Sequence, residues 1–266
     1  MRRGRAAAKR RNRNIIFSVI LVTFVAAVTG GAGYLYFNRS EGLGARQCPV
    51  AGPSGQVVLL VDKTDPLTFT QKQAFQTLLD SLVSRELPPG YLLTVFALGG
   101  DFKSSAEPVF NECNPGSGAN ASVLTSNPEH LKKRFEERFR KPMLHLADEL
   151  QTTQPARISP VLEMLQMTAI NGFRKENVNG PRRLIIVSDM LHNTSDYTMY
   201  QGTLDFSRFH DSDYGRRMST NFGRVDVELQ YLLTTPRLQT RRQLKFWEDY
   251  FAASGGRIVS VRPVEG

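Results

Sequence analysis

The sequence contains no G-x-S-x-G segment and no P-loop motif, so two common routes to hydrolytic and nucleotide chemistry are absent. Its four histidines, His130, His145, His192 and His210, show no paired metal-ligand spacing. His192 and His210 read as solvated loop residues. No internal repeat and no second hydrophobic core is visible. Cysteine is scarce: only Cys48 and Cys113 occur, which excludes a disulfide-dense mini-domain. Acidic residues are missing from positions 1–14, and charge of either sign is missing from Ile15 to Phe37.

The first charge gap explains the formal net charge of +9. Seven basic side chains (Arg2, Arg3, Arg5, Lys9, Arg10, Arg11 and Arg13) lie in the first 14 residues, and the remainder holds 27 basic against 25 acidic residues. The basic excess therefore belongs to a tail, and no nucleic-acid partner is expected. The second gap, Ile15–Phe37, is 23 uncharged residues, and about 20 suffice to cross a bilayer. Basic residues before such a segment stay cytoplasmic, which would put the rest of the chain outside, with Tyr34, Tyr36 and Phe37 at the outer interface. A cleaved signal peptide, with small residues at Gly30–Gly33, is the other reading. The aromatic continuation favours a retained anchor. The expected organisation is a cytoplasmic tail at 1–14, a transmembrane helix at 15–37, a Gly-, Ser- and Arg-containing linker at 38–54 and one α/β domain at 55–266. Bacterial inner membrane and periplasm are the expected location, with other envelope proteins as partners. In an extracytoplasmic compartment Cys48 and Cys113 are expected to pair, the alternative being two buried thiols.

Within the domain, Val57–Val61 (VVLLV) is a short apolar run followed at once by Asp62-Lys63-Thr64-Asp65-Pro66. That is the pattern of a doubly buried strand ending in a polar turn. Thr70–Glu86 carries Phe75, Leu78, Leu79, Leu82 and Val83 at helical spacing, and Thr70 with Gln73 has the spacing of a capping box. Tyr91–Leu98 is a second strand, and Gly99-Gly100 turns the chain. Glu107–Asn111 is a short edge strand. An Asn-, Ser- and Gly-containing loop runs to Asn127-Pro128, which caps a helix presenting Leu131, Phe135 and Phe139 on one face. Pro142 should interrupt that helix. Ser159-Pro160 opens another helix, to about Asn171. Arg183–Asp189 (RLIIVSD) is again a buried strand ending in a carboxylate. Met190–Phe222 reads as mostly irregular. Strand Val225–Leu232, helix Arg237–Ala253 and strand Arg257–Arg262 follow. This alternation is the signature of a Rossmann-like, doubly wound, mostly parallel α/β sheet. Ligands of such sheets bind at the carboxyl ends of the strands.

The strand ending in Asp62-x-Thr64, the strand ending in Ser188-Asp189, and Ser159 at the head of an intervening helix together resemble a von Willebrand factor type A domain. The resemblance covers about residues 55–265. It implies a metal-ion-dependent adhesion site at the sheet edge and a protein-binding rather than catalytic role. Its ligand set would be Asp62, Thr64, Ser159 and Asp189. Pro66 falls where the family has a second serine, and Asp65 would be an auxiliary oxygen ligand. Mg²⁺, or Mn²⁺ or Ca²⁺, would suit such a set, with an acidic partner residue completing the shell. Turn-shaping by Thr64 and Asp65, and capping by Ser159, are the purely structural reading. The V-D-K-T segment also resembles the nucleophile motif of haloacid-dehalogenase-like phosphatases, with Asp62 as phosphoryl acceptor and Ser188 on a later strand, although the late acidic pair of that family has no counterpart. Tyr197, Tyr200, Phe206, Phe209, Tyr214 and Arg216, in the segment after Asp189, are expected to contact a partner, since Tyr and Arg serve as interface anchors, the alternative being that several of the aromatics tuck under the loop as a satellite core.

Overall fold

The computed structural model describes residues 3–37, 43–99, 106–119, 127–151, 155–202 and 204–266. Residues 38–42 of the expected linker, Gly100 of the expected turn and residues 120–126 of the expected loop lie outside the described residues, as do the side chains of Tyr36 and Phe37. The chain divides into two compact units, Met1–Gly42 and Leu43–Gly266.

The first unit is helix α1, Arg3–Phe37. Its stretch Ile16–Tyr34, 19 residues with a mean hydropathy of 2.1, is long and apolar enough to cross a membrane. At 1.5 Å per residue it spans about 28 Å, close to the hydrocarbon thickness of a bilayer.

In the second unit, six strands form one sheet in the order β3-β2-β1-β4-β5-β6. They are β1 Gly55–Asp62, β2 Tyr91–Leu98, β3 Phe110–Cys113, β4 Arg182–Ser188, β5 Val225–Leu233 and β6 Gly256–Glu265. All neighbours are parallel except β2 and β3. β1 therefore sits between β2 and β4, where the strand order reverses. All eight residues of β1 are buried, because both faces of the sheet are covered. Val58 and Leu60 face a core shared with Leu162, Phe173, Trp247 and Phe251. Val57, Leu59 and Val61 face one shared with Phe75, Leu79, Phe139 and Met143. The even and odd residues of one strand thus hold two helical layers in place.

Local sequence sets the helix boundaries, with three departures from expectation. Helix α2, Phe69–Ser81, starts one residue before the expected Thr70, and its capping box lies two residues earlier. Thr68 and Gln71 repeat the Thr70/Gln73 spacing and form the actual box, the Thr68 N–H donating to Gln71 Oε1 at 3.1 Å and the Gln71 N–H to Thr68 Oγ1 at 3.3 Å. Helix α3, Pro128–Phe135, is capped by Asn127, whose side chain accepts from the His130 N–H. It runs on through a π turn, Glu136–Arg140, into α4, Lys141–Leu150. Pro142 therefore does not interrupt the helical path, since the wider turn just before it relieves the clash of its ring with the preceding carbonyls. β3 lies three residues later than the expected strand, and antiparallel to β2. The remaining helices are α5, Val161–Met167, continued as a π turn to Arg174; α6, Phe206–Asp211; α7, Asp213–Arg217; and α8, Arg241–Ala253.

At the sheet edge, β6 is interrupted twice. A register shift leaves Val259 without a partner, and Pro263, opposite Tyr231, lacks an N–H. Both features blunt an edge that would otherwise template strand addition.

Cys48 and Cys113 form a disulfide that ties the segment before β1 to the end of β3, 65 residues on. Chain-entropy arithmetic puts the closure of that loop at about 4 kcal/mol. Cys48→Ser/Cys113→Ser should therefore lower the stability of the domain by about 2–4 kcal/mol in chemical denaturation followed by circular dichroism. An unchanged midpoint would mean that the bridge closes a loop already closed by packing around Leu92 and Val178.

Candidate functional site

Three strand ends bring the polar groups together. β1 delivers Asp62 at its last residue, β4 delivers Ser188 and then Asp189, and β5 is followed by Thr234. Because these strands are adjacent and parallel, their carboxyl ends meet at one edge.

Asp62 is buried with both oxygens engaged. Oδ1 accepts the Thr64 N–H at 2.9 Å and the Thr64 hydroxyl at 2.7 Å, and Oδ2 accepts the Ser188 hydroxyl at 2.7 Å. Thr64 Oγ1 lies 3.3 Å from Ser159 Oγ. Asp189, 4 % exposed, accepts from the Leu191 N–H at 2.9 Å and the Thr234 hydroxyl at 2.7 Å. The four residues singled out in the sequence, Asp62, Thr64, Ser159 and Asp189, thus lie on one buried polar edge. Ser159 is not the helix cap expected of it. Pro160 occupies that position, and Ser159 is held by paired backbone hydrogen bonds with Asn193 while its hydroxyl turns to Thr64. Asp65 is exposed on the rim.

Asp189 is aimed by an unusual backbone. The next residue, Met190, has φ 57, a left-handed conformation costly for a non-glycine residue. Its N–H donates to Ser188 Oγ, and its carbonyl accepts from Gln243 Nε2 at 2.8 Å and Trp247 Nε1 at 3.0 Å. Helix α8 thus holds the turn that carries Asp189.

Two carboxylates side by side in a dry environment resist sharing two negative charges. Burial pushes Asp62 up, against the pull of its hydrogen bonds from Thr64 and Ser188. Burial first, and then the charge of Asp62, raises Asp189 to about 7.

The donor set is entirely oxygen, as hard cations prefer. The 3.3 Å between the Thr64 and Ser159 hydroxyls is near the roughly 3 Å edge of an octahedron built on 2.1 Å bonds. Each hydroxyl near Asp62 can direct its hydrogen to the carboxylate and a lone pair elsewhere. Among the described residues no three or more His, Cys, Asp or Glu side chains converge on a metal-sized space. The set fits a cation held by two carboxylates and two hydroxyls with water, and does not fit one held by a carboxylate cage.

The segment after Asp189 is mostly irregular, as expected, apart from the short helices α6 and α7. It folds back as a satellite core. Phe209 and Tyr214 are buried, and Tyr197 and Phe206 pack against the same cluster. Tyr197 stacks on Phe246 of α8 at 6.2 Å between centroids, and Phe206 and Phe209 meet the same ring edge-on at 5.8 and 5.2 Å. Phe209 and Tyr214 are thus largely withdrawn from the surface, whereas Tyr197 and Phe206 are half-buried. Tyr200 remains exposed, and Arg216 is exposed and paired with Asp213. His192, expected in solvent, is fully buried. Its Nδ1 accepts the Leu162 N–H at 3.3 Å, Nε2 faces the Tyr214 hydroxyl at 3.0 Å, and burial lowers its pKa to about 3.

Thr234, Gln243 and Trp247 were not singled out from the sequence. The signal for Thr234 is positional: it is the first hydroxyl after a strand that lies beside β4, whose end carries Ser188 and Asp189.

No family model and no curated protein matches the sequence. Among solved structures, the chain is similar to the crystal structure of an aerotolerance-related membrane protein from Bacteroides fragilis NCTC 9343 with multiple mutations to serines. That similarity has a TM-score of 0.34 and 12% identity, over 79% of this chain and 90% of that one.

Proposed function

We propose that the chain is a membrane-anchored binding subunit of a cell-envelope assembly, with its α/β domain outside the cytoplasm. Its sheet edge binds a partner protein, aided by a divalent cation at Asp62, Thr64, Ser159 and Asp189. The observation that carries this reading is the convergence of those four residues on one edge, with Thr64 Oγ1 3.3 Å from Ser159 Oγ. Held there, Mg²⁺ or Mn²⁺ would supply positive charge for an acidic residue of the partner. Asp62 and Asp189 would neutralise the cation, and the Thr64 and Ser159 hydroxyls would complete the protein's share of the shell. Binding is favoured over phosphoryl transfer because the late acidic pair that such a phosphatase would need has no counterpart in the sequence.

Isothermal titration of the full chain in detergent should show one Mg²⁺ or Mn²⁺ site that Asp62→Ala abolishes, and capture of partners from native membranes should weaken in EDTA. No heat with Mg²⁺, Mn²⁺ or Ca²⁺ would leave a metal-independent structural subunit. Phosphatase activity lost in Asp62→Asn would replace the binding reading with an enzymatic one.

A further inference from the structure

Above the carboxylate edge lies an open groove of about 840 Å³. The turn after β1 forms one side with Asp65 and Pro66, and the turn after β5 forms the other with Leu233 and Pro236. Tyr200 and Glu265 also line it. The groove is thus partly apolar, and it has an aromatic side chain, Tyr200, 43% exposed. Phe69, next in the chain to the groove residue Thr68, is 75% exposed, an unusual solvent position for a large ring. Exposed aromatics beside a concave surface are typical anchors for protein segments.

The groove's charge has one sign. Its acidic residues are Asp65 and Glu265, both exposed, and among the described residues that line it there is no lysine, arginine or histidine. A smaller space connects the two levels, since Asp62, Asp65 and Asp189 all border it. The potential is felt by the ring in the groove. Burial, and then the carboxylates of Asp189, Asp65 and Asp62, push the Tyr200 phenol up to about 12. The N-terminus of α2 also reaches the groove at Thr68. Its half positive charge is outweighed by two full carboxylates, and the Thr68 and Gln71 N–H groups are already engaged in the capping box.

We propose that this groove receives an extended segment of a partner protein bearing a lysine or arginine, its cation against Asp65 and Glu265 and its stem packed on Tyr200 and Pro236. The inference rests on the reading of the sheet edge as a protein-binding edge and adds the partner's chemistry, which needs no metal. A long basic side chain suits the site because its methylenes cover apolar surface while its head meets the carboxylates.

The test uses the full chain in lipid nanodiscs and three acetylated, amidated Ser/Val octapeptides with a central Arg, Gln or Glu, read by fluorescence anisotropy in EDTA and in Mg²⁺. The Arg peptide should bind about three- to tenfold more tightly than the Gln peptide in EDTA. Glu265→Lys should erase that preference without altering Mg²⁺ titration, and Tyr200→Ala should weaken the Arg and Gln peptides alike. Equal binding of Arg and Gln peptides, or an unaffected preference in Glu265→Lys, overturns the proposal. Binding of the Glu peptide alone, and only with Mg²⁺, overturns it while sustaining the metal-dependent reading. A preference for Arg in a chain that binds no metal sustains it while removing that reading. Binding of no peptide, together with self-association lost in Glu265→Lys, overturns it in favour of a second copy as occupant.

Discussion

Asp189→Asn should stabilise the metal-free chain at pH 8 by about 1–3 kcal/mol and reduce its pH dependence between about pH 4 and 7. The reason is the pairing of Asp189 with Asp62 in a buried site. The folded-state pKa of Asp189 is raised from 3.8 to about 7. Between those values the folded chain keeps a proton that the unfolded chain has lost. Stability therefore falls as pH rises through that window, and the loss is complete above about pH 7. A shift of about three units corresponds to roughly 4 kcal/mol at most, and part of it belongs to Asp62, whose pKa is also raised. Asparagine keeps an acceptor for the Leu191 N–H and removes the charge. Trp247, the sole tryptophan, is buried in the domain and reports unfolding by fluorescence. The measurement is urea unfolding in EDTA at pH 5 and pH 8, repeated with Mg²⁺. With Mg²⁺ the order should reverse: the wild-type chain gains stability by mass action, and Asp189→Asn does not. Destabilisation of Asp189→Asn at pH 8 in EDTA would mean that the native carboxylate is well compensated without metal.

The largest loss is expected from Trp247→Ala. The ring is completely buried and packs edge-on against Phe246 and Tyr250, with centroids 5.4 and 5.6 Å away. Removing a ring of this size costs about 3–5 kcal/mol. Its indole N–H also holds the Met190 carbonyl beside Asp189. Trp247→Phe separates the two effects. It keeps most of the packing, so its cost should be about 1–2 kcal/mol by circular dichroism, yet it should weaken Mg²⁺ binding several-fold through a loosened Met190 turn. If Trp247→Phe binds Mg²⁺ as the wild type does, Gln243 alone secures the turn. If Trp247→Ala costs less than about 1 kcal/mol, the docking of α8 described above is wrong.

The strands were legible because their signals are local. VVLLV and RLIIVSD are short β-branched runs closed by polar residues, and their alternation with helical periodicity leads to a doubly wound sheet whose first and fourth strands adjoin. The polar edge follows from the same topology, since parallel strands end together. What escaped depends on direction and register. The Ser159 hydroxyl has two uses, capping and lateral contact, and only the tertiary pairing with Asn193 decides between them. Thr234 matters only once β5 is known to lie beside β4. The rings of the 190–222 segment have no periodicity to say which face is buried, so their engagement with Phe246 was invisible. The Thr68/Gln71 box was hidden by an identical spacing two residues later.

The disulfide also determines how the domain bears mechanical load. Tension arriving from α1 reaches Cys48 before it reaches β1, and the covalent bridge passes it directly to Cys113 at the end of β3. The segment between them, a sequence separation of 65 residues that includes β1, α2 and β2, forms a closed loop that cannot be drawn out by its ends. About 220 Å of contour length is thereby withheld until the bridge is reduced. Pulled from its N-terminal side, the oxidised domain should give a shorter extension than the reduced one, and the central strand with Asp62 at its tip is shielded from being peeled out along its own length.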